Sequence, residues 1–291
     1  MSIKLPKIFL DSGNPEETKR AKGLLGHIDG QTTNPSLVAK HPEAQRFLSQ
    51  GKKLTEEELL KFYRQIIEEI GREIAGSISV EVYADWDSTA SQMLKQAEKM
   101  FTWGRNIHIK FPTTEEGLKA ASEFTKNGGR VNMTLVFNQT QAAASYAATL
   151  QSKETHFVSP FIGRLDDRGV NGLDLVKNII KLYRKFNKQD KSNILVLAAS
   201  IRTLQHLYSS IFMGADVVTI PFKIAQEWVK EEKWMPDKHY RPSQSGLKYL
   251  KYEDLAFYNN FEKYKIPHIE DDLLDEGLKK FVADWKSLAK I

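Results

Sequence analysis

Short apolar segments alternate with amphipathic helical segments along most of this 291-residue chain, and this alternation constrains the fold more than any other feature. Residues 77–83 have the pattern of a strand, because apolar and polar side chains alternate strictly. Residues 55–70 have the pattern of a helix, with a capping box followed by apolar residues at helical spacing. Eight strands are predicted in this way, at residues 7–11, 27–33, 77–83, 106–112, 131–137, 156–161, 194–200 and 216–220.

Strands that alternate with helices pair in parallel through right-handed crossovers, and eight such units close into a (β/α)8 barrel. We therefore predict an α/β fold in which residues 1–233 form a single TIM-barrel domain. A loop is expected at residues 162–169, directly after the sixth strand.

Residues 234–291 follow the eighth unit and are predicted to form a helical extension. The extension begins with a polar segment, residues 238–251, and ends in a helix with an apolar stripe. The stripe consists of Leu274, Leu278, Phe281, Trp285 and Leu288. It fits two placements about equally well, packing on the barrel or a subunit contact in a homo-oligomer, and the extension could also cover the mouth of the barrel.

The composition excludes several classes of site and of protein. The chain has no cysteine, which rules out disulfides, thiolate metal sites and cysteine nucleophiles. No apolar run approaches the roughly 20 residues of a transmembrane helix. The first residues also lack the apolar core of a signal peptide, so we expect a soluble cytoplasmic protein without a membrane partner.

The net charge of +5 arises from lysines that are interspersed with acidic residues. Basic residues do cluster within the predicted helix at residues 177–188. This cluster is more typical of a solvated helix face than of a nucleic-acid site. We therefore expect no nucleic-acid partner, although a mildly basic enzyme would attract anionic substrates.

One predicted strand, residues 106–112, carries a lysine near its end. His108 and Lys110 share one face of this strand, and the apolar residues share the other. Pro112 has no N–H group, so we expect it to end the pairing. Taken alone, Lys110 is more often a solvated lysine. The alternative is an inward lysine whose neutral amine attacks a carbonyl group.

The carboxyl ends of the strands in such a barrel meet at one mouth, and nearly every predicted strand has polar residues there. These residues are Asp11, Thr32, Asn34, Glu81, Lys110, Asn132, Thr134, Ser159, Ser200 and Arg202. Any one of them has an ordinary structural explanation, since Asn34 and Ser200 precede predicted helices and could cap them. Together, one lysine, two acids and several hydroxyl or amide groups favour a site that forms an imine.

The chemistry of an imine explains why these residue types are needed. A neutral amine adds to a ketone and loses water, and the resulting iminium ion withdraws electrons so that a neighbouring carbon–carbon bond can break. A dry pocket favours the neutral amine. One acid must take the proton of the substrate hydroxyl, and another must protonate the departing oxygen of the carbinolamine. Asp11 and Glu81 suit these two tasks.

Two arginines follow the sixth and seventh strands, where loops of this fold commonly bind phosphate. Arg164 and Arg202 could bind a phosphate group, or each could pair with a nearby acid such as Asp166 or Asp167. No phosphate-binding glycine loop, dinucleotide loop or metal-ligand cluster is present in the sequence. His108 has no companion at ligand spacing and is interpreted as a lumen or core residue.

Seven segments of the chain together resemble the transaldolase family, which includes the smaller fructose-6-phosphate aldolases. They are Leu10-Asp11, Thr32 to Leu37, Glu81-Val82, Ile109 to Pro112, Asn132 to Phe137, Ser159 to Arg164 and Ala199 to Arg202. The resemblance covers about residues 7–230, and the second and sixth segments are its most specific parts. Residues 234–291 match no motif of the family that we can place.

The resemblance implies a role for each residue of the site. Lys110 would form the Schiff base, Asp11 would act on the C4 hydroxyl of the substrate, and Glu81 would act through a water molecule positioned by Thr134. The implied substrate-binding residues are Thr32, Asn34, Asn132, Ser159, Phe161, Arg164, Ser200 and Arg202. Among them, the two asparagines and Ser159 would contact the three-carbon unit, and the two arginines with Ser200 would bind the phosphate.

The implied reaction transfers a dihydroxyacetone unit from a ketose phosphate to an aldose phosphate, so small sugar phosphates are the expected partners. The resemblance also implies that neither a metal nor an organic cofactor is needed, because the lysine imine withdraws the electrons. Glu81 and Phe161 resemble the transaldolases, because the aldolases tend to have glutamine and tyrosine at these positions. Two alternatives remain: an aldolase that releases free dihydroxyacetone, and a barrel that binds sugar phosphates without converting them.

Overall fold

Eight parallel strands pair in the order of the sequence, and the first strand pairs with the eighth to close a barrel. The computed structural model describes residues 4–242, 246–265 and 272–290. The strands are β1 (Lys7–Asp11), β2 (Gly30–Thr32), β3 (Ser77–Glu81), β4 (Ile107–Pro112), β5 (Val131–Val136), β6 (His156–Pro160), β7 (Ile194–Ala198) and β8 (Val217–Ile220). The predicted (β/α)8 barrel is therefore confirmed.

Twelve helices are present in the described parts of the chain. They are α1 (Pro15–Leu25), α2 (Pro35–Ala39), α3 (Pro42–Ser49), α4 (Glu56–Glu73), α5 (Ala90–Phe101), α6 (Glu115–Lys126), α7 (Gln139–Ala148), α8 (Ile162–Asp166), α9 (Gly172–Phe186), α10 (Leu204–Met213), α11 (Phe222–Lys230) and α12 (Asp272–Leu288). A 3₁₀ turn spans Phe261–Lys263. None of the described helices is long and apolar enough to cross a membrane.

Two local predictions were wrong. Residues 162–169 were expected to form a loop, but they contain helix α8. The first N–H groups of this helix donate to backbone carbonyl groups of the β7–α10 connection instead of to a side-chain cap. Pro112 does not end the pairing of β4, because it lies opposite Thr134 and the next residue donates to that threonine's carbonyl at 3.1 Å. Successive backbone N–H groups of a strand point alternately to its two neighbouring strands. The nitrogen of Pro112 points toward β3, which has already ended at Glu81, so its missing N–H group interrupts no strand pairing.

The lumen of the barrel is filled in layers by the inward side chains. Its lower part is largely apolar and contains Phe9, Phe157, Leu197 and Val217. His108 lies in this part, with its ring 4.6 Å from that of Phe157 and one ring nitrogen 2.8 Å from the hydroxyl of Ser77. Burial lowers the pKa of His108 to about 3, so its ring is neutral at physiological pH, as expected for a lumen histidine.

The extension first runs along α9. Lys181 of this helix lies 3.7 Å from the ring centroid of Tyr252, and Lys185 pairs with Asp254 at 2.6 Å. Part of the predicted basic cluster therefore contacts the extension of the same chain. The predicted polar segment 238–251 falls partly outside the described residues, since 243–245 are not among them.

Helix α12 then crosses the carboxyl ends of the strands, packing on α2, α3 and β5. All five residues of its predicted apolar stripe are buried. Polar contacts add to this packing: Trp86 donates to Asp275 at 2.7 Å, and Ser36 donates to Asp284. The extension thus covers part of the mouth of its own barrel.

Candidate active site

A cavity of about 200 Å³ opens at the carboxyl ends of the strands. Nine of the sequence-predicted residues line it: Asp11, Thr32, Asn34, Lys110, Thr134, Ser159, Phe161, Arg164 and Ser200. Two more lie directly behind this wall, since Glu81 contacts Lys110 and Asn132 contacts Ser159. Arg202 does not line the cavity.

Lys110 points into the lumen and is 3% exposed, so it is not the solvated lysine of the first interpretation. Its Nζ lies 2.7 Å from Glu81 Oε2 and donates to the backbone carbonyl of Thr33 at 2.9 Å. The register explains the ion pair, because Glu81 and Lys110 are direct neighbours on β3 and β4. The amine is therefore held at a defined position on the wall of the cavity.

Asp11 is held by a pair of threonine hydroxyls. Thr32 Oγ1 donates to Asp11 Oδ1 at 2.6 Å and lies 2.6 Å from Thr219 Oγ1. Since Thr32 has one proton to donate, Thr219 is the donor of the second bond. Burial raises the pKa of Asp11, although the Thr32 hydrogen bond and the charge of Lys110 partly oppose this effect.

Glu81 experiences a similar environment, because burial is the largest influence and raises the pKa of its carboxyl group. Its pairing with Lys110 opposes the rise, while the negative charge of Asp11 adds to it. Both carboxyl groups of the site therefore release their protons at higher pH than an ordinary carboxyl group does. A raised pKa makes a carboxyl group a better proton acceptor, and this property suits general acid–base catalysis.

A hydroxyl–amide network lies beside Lys110, since Asn132 is the neighbour of this lysine on β5. Ser159 donates to Asn132 Oδ1 at 2.7 Å, and Asn132 Nδ2 donates to Ser79 Oγ at 3.1 Å. Thr134 is fully buried, and its hydroxyl has no hydrogen-bond partner in the described part of the chain. Buried polar groups are nearly always paired, so this hydroxyl indicates a place for a water molecule or a substrate group.

Asn34 and Ser200, the two residues that could have capped helices, differ in their roles. Asn34 does cap α2, because its Oδ1 accepts the N–H of Leu37 at 2.9 Å. The side chain of Ser200 does not cap α10, since Thr203 caps that helix. The backbone of Ser200 has a φ of 57°, in the left-handed region that residues other than glycine seldom adopt. Such strain is found most often at functional sites.

The two arginines differ in their contacts. Arg164 lines the cavity and forms no ion pair with any described residue. Arg202 forms a bidentate ion pair with Asp167, with 2.7 Å between Nη2 and Oδ2. The pairing with an acid that the sequence left open is therefore observed for Arg202. The hydrogen bonds from Arg202 lower the pKa of Asp167, and the nearby charge of Arg164 contributes to this shift.

Several lining residues escaped the sequence interpretation: Ser36, Leu37, Lys40, Ala199, Thr219, Lys280 and Phe281. Thr219 could have been found, since it is the polar residue on the inward face of β8. Lys280 and Phe281 come from α12, and nothing in their local sequence indicates that this helix reaches the cavity. Within the described residues, no group of three or more histidine and acidic side chains is placed to bind a metal.

Comparisons with known proteins agree with this geometry. The family model described as "Transaldolase/Fructose-6-phosphate aldolase" matches residues 8–291, so the similarity extends through the C-terminal extension for which we had found no motif. A protein of Roseiflexus sp. (strain RS-1), named "Probable transaldolase", is 36% identical over 281 residues, 97% of each chain. A "Probable transaldolase" of Dehalococcoides mccartyi is 32% identical over 98% of this chain and 100% of its own length. The chain belongs to the transaldolase/fructose-6-phosphate aldolase family.

Proposed function

We propose that this protein is a transaldolase that transfers a dihydroxyacetone unit between sugar phosphates through a Schiff base on Lys110. The observation that carries the proposal is the buried amine of Lys110, which faces the cavity. One carboxyl group lies 2.7 Å from this amine, and a second, that of Asp11, lines the same cavity. A buried charged pair contributes little stability compared with apolar packing, which argues for a chemical role.

The first step frees the amine. Glu81 accepts a proton from Lys110, and the raised pKa of this carboxyl group favours the transfer. The neutral amine adds to the C2 carbonyl of a ketose phosphate and forms a carbinolamine. Glu81 then returns a proton to the departing oxygen, through a water molecule bound by the unpaired hydroxyl of Thr134. Water leaves, and a protonated imine remains on Lys110.

Asp11 serves the second step. Its carboxylate takes the proton of the C4 hydroxyl, the C3–C4 bond breaks, and the electron pair moves into the imine. An aldose phosphate departs, and the three-carbon enamine stays on Lys110. Attack of this enamine on a second aldose phosphate reverses these events, and hydrolysis of the imine releases the new ketose phosphate. The hydrogen bond from Thr32 orients Asp11 for both proton transfers.

The walls of the cavity suit the two ends of the substrate. Asn34, Asn132 and Ser159 are proposed to bind the hydroxyl groups of the three-carbon unit, beside the ring of Phe161. The phosphate is proposed to bind at Arg164 and Ser200, where Lys40 and Lys280 add positive charge. Asp167 accepts hydrogen bonds from Nη1 and Nη2 of Arg202, so a phosphate at this arginine would use the remaining N–H groups or displace the carboxylate.

A second candidate uses the same imine but releases free dihydroxyacetone, as the aldolases of the family do. Glu81 and Phe161 favour the transferase. The transferase would act in the cytoplasm, in the non-oxidative pentose phosphate pathway, with fructose 6-phosphate or sedoheptulose 7-phosphate as donor. The acceptor would be erythrose 4-phosphate or glyceraldehyde 3-phosphate. No cofactor is needed, because the imine itself withdraws the electrons.

Borohydride trapping tests the imine. With dihydroxyacetone as substrate, we expect a covalent adduct on Lys110 that the Lys110→Met variant cannot form. Lys40→Met is the matched control, because it removes another amine of the same cavity and should still yield the adduct. An adduct that persists in Lys110→Met would refute the assignment.

A second assay separates the two candidates. Release of glyceraldehyde 3-phosphate from fructose 6-phosphate is measured with and without erythrose 4-phosphate. Release that depends on the acceptor indicates a transaldolase, and equal release without the acceptor indicates an aldolase.

A further inference from the structure

We propose that Tyr63, on the outer helix α4, is a positioning residue for the Lys110 site, because its single hydroxyl connects the backbone segments that carry both partners of the Lys110 amine. This inference rests on the proposed function. Tyr63 is fully buried and does not line the cavity, so it has no direct contact with a substrate there.

The hydroxyl of Tyr63 makes two short contacts. It accepts the backbone N–H of Glu81 at 3.0 Å and lies 2.6 Å from Thr33 Oγ1. Thr33 donates its own hydroxyl proton to the carbonyl of Ser79 at 2.8 Å, so Tyr63 must be the donor to Thr33. A directed chain of hydrogen bonds therefore runs from the Glu81 N–H through Tyr63 and Thr33 to Ser79.

This chain joins the two groups that contact Lys110 Nζ. One is the carboxylate of Glu81, at 2.7 Å, and the other is the carbonyl of Thr33, at 2.9 Å. They belong to the end of β3 and to the connection after β2, where strand pairing is about to stop. The backbone N–H of Thr33 also donates to the Ser79 carbonyl at 3.0 Å, and the Tyr63 hydroxyl adds the link to the Glu81 N–H. Tyr63 thereby helps to set the direction in which the amine points.

Tyr63 is itself held from behind. Its ring packs edge-to-face against Trp103 at 5.6 Å and against Trp285 of α12 at 6.0 Å between centroids. Burial raises the pKa of Tyr63, so the hydroxyl stays protonated and remains a donor at any pH the enzyme meets. A hydroxyl that is rigid and always protonated suits a positioning role better than a proton-transfer role.

The test compares two tyrosine-to-phenylalanine variants. Tyr63→Phe breaks the chain of hydrogen bonds. Tyr183→Phe is the control, because it removes another buried hydroxyl, which donates to the carbonyl of Ala142 at 2.8 Å far from the site. Both variants should lose similar thermal stability. Only Tyr63→Phe should lower kcat, on the order of tenfold, since small misplacements of reacting groups are costly. KM should stay within about twofold in both variants, because no substrate contact is removed.

The pH profile provides a readout that a purely structural role would not change. Loss of the chain weakens the pairing of Glu81 with Lys110, and this pairing opposes the raised pKa of Glu81. The acidic limb of the kcat profile should therefore move to higher pH in Tyr63→Phe and stay in place in Tyr183→Phe. Equal kcat values and equal profiles in the two variants would overturn the inference.

A second pair of variants covers the case in which Tyr63→Phe does not fold. Thr33→Val interrupts the chain at its next link, whereas Thr33→Ser keeps the hydroxyl. We expect the slower turnover only in Thr33→Val, and equal rates in both would refute the chain. Borohydride trapping in the unmodified protein separates the two proposals: absence of any adduct refutes the Schiff base, while an adduct with unchanged kinetics in Tyr63→Phe refutes only the role of Tyr63.

Discussion

Gly163 is the position at which the smallest possible change should disturb the phosphate end of the site. This glycine lies in the short helix α8, and its N–H donates to the carbonyl of Ser200 at 3.0 Å. A Cβ atom added there would lie 2.7 Å from that carbonyl oxygen and 2.3 Å from Nε of Arg202. Both neighbours belong to the loop that we propose to contact the phosphate.

The size of the effect follows from two opposing terms. Inside a helix, alanine stabilises the folded protein by about 0.5–1 kcal/mol relative to glycine. Overpacking of a closed site costs about 1–3 kcal/mol, and here the cost should be high, because a backbone oxygen at Ser200 cannot rotate away as a side chain can. We therefore expect Gly163→Ala to lower the free energy of unfolding by about 1–2 kcal/mol.

The same displacement should weaken substrate binding. A hydrogen bond to a charged group contributes about 1.5–3 kcal/mol, so loss of one phosphate contact should raise KM for fructose 6-phosphate by roughly 10- to 100-fold. Trapping of dihydroxyacetone, which has no phosphate, should be nearly unchanged. Thermal unfolding and steady-state kinetics provide the two measurements.

Gly23→Ala is the matched control, since Gly23 lies in helix α1 and an added Cβ would meet nothing within 4 Å. We expect this variant to be more stable by about 0.5–1 kcal/mol, with an unchanged KM. If Gly163→Ala were also stabilised and bound fructose 6-phosphate normally, the proposed phosphate end of the cavity would be in the wrong place.

Two further predictions concern charge. Lys280→Met should raise KM for fructose 6-phosphate severalfold without affecting dihydroxyacetone trapping. Lys279→Met is the control, because this lysine pairs with Asp275 at 2.6 Å, and it should change neither quantity. Equal KM values for the two variants would exclude Lys280 from the site. Burial raises the pKa of Asp11 above 3.8, so this carboxyl group binds a proton more tightly in the folded protein than in the unfolded chain. Proton binding therefore stabilises the fold fully below pH 3.8, and this stabilisation is lost as pH rises through the pKa of Asp11 in the folded protein. Asp11→Asn should therefore lose activity but unfold at a higher temperature at neutral pH, with a gain that fades in acid; melting curves across this range test the sign, and a gain independent of pH would contradict it.

The barrel could be predicted because its signals are local. Each strand alternates or is continuously apolar, and each helix carries its own stripe and often its own cap, as Thr55 caps α4 and Thr114 caps α6. Strand periodicity placed Lys110 on the face of β4 opposite the apolar residues, and the polar ends of the other strands favoured its inward direction. These inferences needed only residues close together in the chain.

Apart from Thr219, the missed features of the site depend on partners that are distant in sequence. Helix α8 forms without a cap residue because carbonyl groups of residues 199 and 200 accept its first N–H groups. The pairing of Arg202 with Asp167 was one of two open alternatives, and only the packing of the two loops decides between them. Lys280 reaches the cavity because α12 crosses the mouth of the barrel. The apolar periodicity of α12 predicts that one face of this helix is buried, but it does not identify the surface that covers this face.

The polar upper layer of the lumen is itself an argument for chemistry. The layer below it is filled by Phe9, Phe157 and Leu197, so this barrel can pack its lumen with apolar residues. The upper layer instead encloses two carboxyl groups whose pKa values burial raises, and the unpaired hydroxyl of Thr134. Each of these features lowers stability, since a buried group that is charged or unpaired costs free energy. They lie at the mouth of one barrel around a single buried amine, and substrate binding would supply the missing partners.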